Sequence, residues 1–211
     1  KHWTQRHLLW LRGLEFHLPK LRKVFDSYFD EMTYGLRRLE SLDQQVEQLA
    51  QQPEYRDIVG ALCCFHGIQT LTAITLLTEI FDYGRFATPR ELMSYLGLTP
   101  SEYSSGDRQK KGSITKAGNK RIRRLLNETA WHYRHRYLPG KGLKQRRKGQ
   151  PQWAIEIADN AGRRLTRRHR HLIEAGKMPV KANIAIAREL AGFIWALMRE
   201  YEARKTIKDV A

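Results

Sequence analysis

The sequence predicts an all-α fold, a long coiled-coil helical arm followed by a compact helical domain, and three observations predict it. Apolar residues recur at spacings of three and four along most of the chain, and no run of alternating β-branched residues marks a strand. With 41% hydrophobic residues and five Trp in 211 residues, the chain can also bury a real core.

Trp3 to Leu18 reads as a first helix, which Pro19 closes or hands to the next. Leu21, Phe25, Tyr28, Met32, Gly35, Leu39, Leu42, Val46 and Leu49 then step by alternating fours and threes, the spacing of a heptad seam. Asp30, Glu31, Arg37, Arg38, Glu40, Asp43 and Glu47 lie off the seam, as a solvated face requires. A seam does not identify its partner, so a dimerisation arm over 1–52 and an intramolecular helical hairpin both stand. Gly35 weakens the helix locally and marks a candidate bend.

Residues 53–211 form the second domain. Tyr55 to Phe81 reads as two helices broken at His66-Gly67-Ile68, with a helix-hairpin-helix-like pattern at Leu62, Phe65, Gly67, Ile68, Ala73, Leu76 and Leu77. Gln69 replaces that motif's usual second glycine, and an ordinary helical corner is the other reading. Thr88-Pro89-Arg90-Glu91 caps a further helix that ends near Gly97. A basic loop near 104–115 leads into a helix from about Lys116 to Tyr137, and glycines and prolines over 138–152 predict a mobile basic loop. Trp153 to Ala175 is an arginine-rich helix, and Ala182 to Tyr201 is apolar enough to be the buried closing helix.

Thirty-eight Lys and Arg against 22 Asp and Glu leave +16 formal charge, which calls for a polyanion, most naturally nucleic acid. Cys63 and Cys64 are adjacent and read as core residues, so they build neither a disulfide framework nor a metal site, and a reducing, cytoplasmic location is expected. No run is long and apolar enough to span a bilayer, and no membrane partner is expected. The first residues, Lys1 onward, already read as helix, and the expectation is a piece of a longer protein.

The chemistry concentrates at Ser104-Ser105-Gly106. A serine hydroxyl attacking a phosphodiester needs cations to offset developing charge, and Arg108, Lys110, Lys111 and Lys116 follow closely. Two turn serines before a glycine are the plainer alternative. Arg121, Arg123, Arg124, Lys144, Arg146, Arg147, Arg163 and Arg167 are candidate phosphate contacts. Tyr133 and Tyr137, flanked by Arg134 and Arg136, are candidates to stack on bases, with Trp131 assigned to the core. His132 and His135 are three apart but have no further ligand pair, so no metal is assigned.

The order Leu92-Met93-Ser94-Tyr95-Leu96-Gly97-Leu98-Thr99-Pro100, Ser104-Ser105-Gly106, Gly112, Ile114, Thr115-Lys116, Gly118-Asn119 and Arg123 resembles the C-terminal domain of the Piv/MooV-type insertion-sequence transposases and DNA invertases. Gly67-Ile68, Thr72-Ala73, Glu79, Arg85-Phe86, Ala187-Arg188-Glu189-Leu190 and Phe193 extend the likeness over most of Tyr55 to Tyr201. Those enzymes are also described as bridge-RNA-guided recombinases. The resemblance implies a serine that becomes covalently joined to DNA, matched by Ser105 with Ser104 as fallback. Lys116, Asn119 and Arg123 match the motif after the serine and would anchor the loop and bind phosphate. It also implies a RuvC-like domain with an Asp-Glu-Asp-Asp cluster for Mg2+. No βαβ pattern with spaced carboxylates precedes the heptad helix, so no cofactor is assigned to this chain, which is expected to be inactive alone. Glu79 and Asp82 are expected to be charge partners. DNA, a guide RNA and a second copy joined through the arm are the implied partners. A non-catalytic helical module that binds DNA or RNA is the alternative.

Overall fold

The computed structural model describes residues 3–102 and 111–210, side chains excepted at 111 and 208–210. It divides into two compact units, Lys1–Gln48 and Leu49–Ala211.

In the first unit, α1 (Gln5–Arg12) starts at Thr4, whose hydroxyl accepts from the His7 amide at 3.4 Å. Pro19 begins α2 (Pro19–Ala50), where its missing N–H costs nothing. The turn between them folds back on the first turns of α2: the Phe16 ring lies 5.0 Å from that of Phe25, and Arg12 stands over Phe29 at 5.6 Å. Arg22 Nη1 closes this corner by donating to the Leu14 carbonyl at 2.7 Å. Farther along, the seam is open, with Tyr28 75% and Leu39 56% exposed and Leu42 exposed beside them. The helix runs through Gly35 without interruption.

In the second unit, α3 (Pro53–Leu62) and α4 (Thr70–Ile80) are broken where expected, with Gly67 at φ +88°. A Cβ on Gly67 would meet Thr129 and His132, so this glycine is demanded by a protein contact as well as by its dihedral. The α5 helix (Pro89–Tyr95) has the expected capping box: Thr88 Oγ1 accepts from the Glu91 amide, and the Glu91 carboxylate accepts from the Ala87 amide at 2.9 Å. The closing helix α9 (Pro179–Val210) is the hub, with α5, α6 (Lys120–Ala130) and α8 (Gln152–Glu174) packed on it. Its buried Ala182, Ile186, Ala187, Leu190, Ala191 and Ile194 match a buried stripe of Ala154, Ala158, Ala161 and Leu165 on α8. Small residues on both stripes permit close helix approach.

The first helix, expected to reach Leu18, ends at Arg12, and three local expectations in the second unit also need correction. Strands β1 (Pro100–Glu102) and β2 (Lys111–Ile114) pair antiparallel, Pro100 with Ile114 and Glu102 with Lys111. At three and four residues they are too short for alternation to register. The helix expected from Lys116 begins at Lys120, because Lys116 (φ +57°) and Gly118 (φ +72°) leave the helical region and Asn119 caps it, its Oδ1 accepting from the Ile122 amide at 3.0 Å. It ends at Ala130 and gives way to a 3-10 turn, Trp131–Arg134. The basic segment expected to be a loop contains a helix, α7 (Lys141–Arg147), held by the buried Leu143 and Arg147.

Candidate nucleic-acid interface

The strand pair is fixed at its base by backbone contact with the end of α5. Beyond the Pro100–Ile114 pair, the Thr115 amide donates to the Thr99 carbonyl at 2.9 Å and the Lys116 amide to Gly97 at 3.1 Å. So close an approach leaves no room for side chains: a Cβ on Gly97 would run into the Ala117 backbone, and one on Gly118 into the Tyr95 carbonyl. Arg123 Nη1 donates to both the Leu96 and Ala117 carbonyls, each at 2.9 Å, satisfying the end of α5 with a cation. From α4, Glu79 accepts from Asn119 Nδ2 at 2.6 Å and from Arg121 Nη1 at 3.2 Å. The motif residues Gly97, Gly118, Asn119 and Arg123 thus form one clamp, and Glu79 is the charge partner the sequence suggested.

Residues 103–110 connect β1 to β2 in sequence. Ser104, Ser105, Arg108 and Lys110 therefore lie outside the described residues, as does the side chain of Lys111. Lys116 is exposed beside the clamp.

Between the strand base and the first turns of α9 lies a groove of about 450 Å³. Leu98, Pro100 and Ile114 line one side, Val180, Ile184 and Ala185 the other, with Lys177, Lys181 and Arg188 among them. None of these three cations has an ion-pair partner among the described residues. Next door, Arg164 and Arg168 converge on Glu189 at 3.0 and 3.5 Å.

A second cationic surface surrounds α7 and α8, and here the candidates separate. Arg147 is buried: its guanidinium donates to Asp159 Oδ1 at 2.7 Å, to the Tyr137 hydroxyl at 2.8 Å and to the Cys64 carbonyl at 2.8 Å. It is therefore a structural cation rather than a phosphate contact. Partial burial alone would raise the Asp159 carboxyl, but hydrogen bonds from Tyr137 and Arg147 outweigh it and hold the group below its usual range. Burial, helped by the bond to Asp159, pushes the Tyr137 phenol up to about 12. Arg146 Nε donates to the Cys63 carbonyl at 3.3 Å, so both arginines serve the C-terminal end of α3. Cys63 and Cys64 are buried, as expected, and burial raises the Cys64 thiol to about 11.

Lys144 and Arg167 remain exposed, and Arg167 has no partner among the described residues. Arg163 is held loosely, 3.9 Å from Asp159, and Arg124 pairs with Glu128 at 2.8 Å on the surface. The aromatic assignment changes. Tyr133 is 0% exposed because the 3-10 turn carries it inward, Tyr137 is part-buried and engaged in the Arg147–Asp159 network, and Trp131 is part-buried to a similar degree rather than core. His132 packs against His66 with ring centroids 5.3 Å apart. Among the described residues, no group of three or more His, Cys, Asp or Glu side chains is placed to hold a metal, and no helix is long and apolar enough to cross a membrane.

The sequence reading missed Asp159, Lys177, Lys181 and Arg188 as site-forming residues. Arg188 stood in a matched motif block without a role, and nothing local pointed to the other three.

Residues 60–143 match the family described as "Transposase IS116/IS110/IS902 family". The Sinorhizobium fredii protein named "Putative transposase y4qE" is 39% identical over 204 residues, covering 97% of this chain and 48% of that protein. The transposase for insertion sequence element IS1533 of Leptospira borgpetersenii is 33% identical over 177 residues, with 82% and 50% covered. The transposase for insertion sequence element IS1111A of Coxiella burnetii is 24% identical over 185 residues, with 87% and 44% covered. The chain spans about half the length of these relatives.

Proposed function

We propose, from the match of residues 60–143 to the IS116/IS110/IS902 transposase family, that this chain binds and cuts DNA as part of a transposase, with Ser105 as nucleophile and Ser104 as its fallback. In this reading the Ser105 hydroxyl attacks a strand phosphorus. The Oγ–P bond forms as the bond to the leaving deoxyribose oxygen breaks; the serine proton passes to solvent or a base, and the leaving oxygen takes up a proton. The phosphoserine ester conserves the bond energy, so a second deoxyribose hydroxyl rejoins the strand by the reverse step.

One observation carries the reading: the clamp at the strand base. Gly97, Gly118 and Arg123 hold the segment entering the strand pair against the segment leaving it, and a nucleophile on a chemically weak hydroxyl depends on such fixed surroundings. Exposed Lys116 supplies charge beside that base.

The same proposal assigns Lys144, Arg163 and Arg167 to phosphates of a guide RNA, and the open seam of α2 to a second copy of the chain. Mg2+ belongs in it to a RuvC-like domain outside this chain. The chain alone is accordingly expected not to recombine DNA.

The test is trapping on a nicked suicide substrate with the full-length protein. Wild type should form a covalent protein–DNA adduct, Ser105→Ala should not, and DNA affinity should stay nearly constant. An adduct that survives in Ser105→Ala and disappears in Ser104→Ala moves the assignment by one residue; survival in the double variant ends it.

A further inference from the structure

The groove between the strand base and α9 has the chemistry of a nucleotide site. Its floor is aliphatic, with Leu98, Ile114, Val180 and Ile184 on facing sides, and its volume of about 450 Å³ falls within the range of small-ligand pockets. Three cations border it, and no described carboxylate neutralises them. Arg188 is the telling one. It is half-buried on α9 without an ion pair, although Glu189, its neighbour in sequence, gathers two arginines of α8. A guanidinium withdrawn from water and left unpaired favours an anionic ligand. An apolar floor with a cationic border suits an unstacked base and its flanking phosphates, whereas a stacked duplex presents no base to such a floor.

We propose that this groove receives one unstacked nucleotide of the DNA strand, its base against Leu98, Ile114, Val180 and Ile184 and its flanking phosphates on Lys177, Lys181 and Arg188. The choice of DNA rests on the transposase reading, while the groove itself does not depend on Ser105. By holding one nucleotide out of the stack at the root of the strand pair, the groove would set the register of the DNA strand on this domain.

The probe is a short adenine-rich single DNA strand carrying one central 2-aminopurine, titrated into this chain. Stacking between adenines quenches that base and an aliphatic floor does not, so binding should raise its emission severalfold. Val180 is exposed, so Val180→Asp should keep the fold and abolish the rise. Arg188→Gln should weaken binding about tenfold, as loss of one charge-assisted contact implies. Lys177→Gln with Lys181→Gln should lower the salt slope of binding by about 0.7 per removed contact. No rise in wild type, an undiminished rise in Val180→Asp, or an unchanged salt slope overturns the proposal; a larger rise with RNA overturns the choice of DNA. Ser105→Ala should keep the full rise, so a missing covalent adduct beside an intact rise counts against the serine alone.

Discussion

Arg123 reaches back 27 positions to donate to the Leu96 carbonyl at 2.9 Å, and the same Nη1 serves the Ala117 carbonyl. One side chain thereby ties the end of α5 to the turn that starts α6. Hydrogen bonds from a charged donor are worth about 1.5–3 kcal/mol, so Arg123→Ala should lower unfolding stability by about 2 kcal/mol. The urea midpoint measures this. A loss of nucleic-acid affinity at full stability would instead make Arg123 a phosphate ligand.

Gly118 should be less replaceable than its size suggests. At φ +72° and with the Tyr95 carbonyl where a Cβ would stand, Gly118→Ala combines backbone strain with a collision. The expected cost exceeds about 1 kcal/mol. Gly140→Ala, where a Cβ meets nothing within 4 Å, is the control for collision and should cost only the N-cap preference of α7.

Arg147 and Arg167 should behave oppositely although both are arginines in a basic region. Arg147→Ala leaves Asp159 with the Tyr137 hydroxyl but without its close cation and should cost about 3 kcal/mol, the low end for a broken buried pair because Asp159 keeps 28% of its side-chain surface in water. Arg167→Ala should leave stability unchanged and reduce the salt slope of nucleic-acid binding. Equal effects of the two on binding would remove the distinction.

Acid should destabilise this domain in two steps. Burial first, then His132 and the nearby Arg146, Arg147 and His135, holds His66 below the usual histidine range; burial and then Arg134 does the same for His169. The unfolded chain binds these protons more readily, so the stabilisation is whole above about pH 6.5 and falls as pH drops through the lowered folded values. Asp159, also depressed, contributes fully above the usual carboxylate range and loses its share below about pH 4. Denaturation midpoints across this range should flatten at the upper step in His66→Gln and at the lower one in Asp159→Asn. Wild-type curvature in both variants would place the proton uptake elsewhere.

What the sequence disclosed and what it hid follow from range. The long helices and the capping box at Thr88 and Glu91 are written in spacings of three and four. The Arg147–Asp159 pair is twelve positions apart and the Asn119–Glu79 bond forty, so neither has a local signature. The glycines and prolines of 138–152 make α7 look like loop, whereas a single inward face, Leu143 and Arg147, decides for helix. Tyr133 was misread because its polar neighbours describe a surface, while the 3-10 turn places it in the core. The clamp lies between these cases: its glycines, Asn119 and Arg123 were visible as a motif, but only the folded chain shows that they hold backbone.

The open seam on α2 makes the last prediction. Leu39 and Leu42 are exposed three residues apart on the seam, and burying each contributes about 1.5–3 kcal/mol if a second copy covers it. A pair of copies counts every such residue twice, enough to offset a substantial part of the association cost. Sedimentation should therefore find wild type self-associated at micromolar concentration and Leu39→Glu/Leu42→Glu monomeric. Far-UV circular dichroism and the thermal midpoint should be retained, because neither residue belongs to the core of the second unit. If wild type is monomeric under the same conditions, the seam serves another partner. If the variant loses helix as well as association, the two leucines support α2 within one chain, and the dimer reading fails on that ground instead.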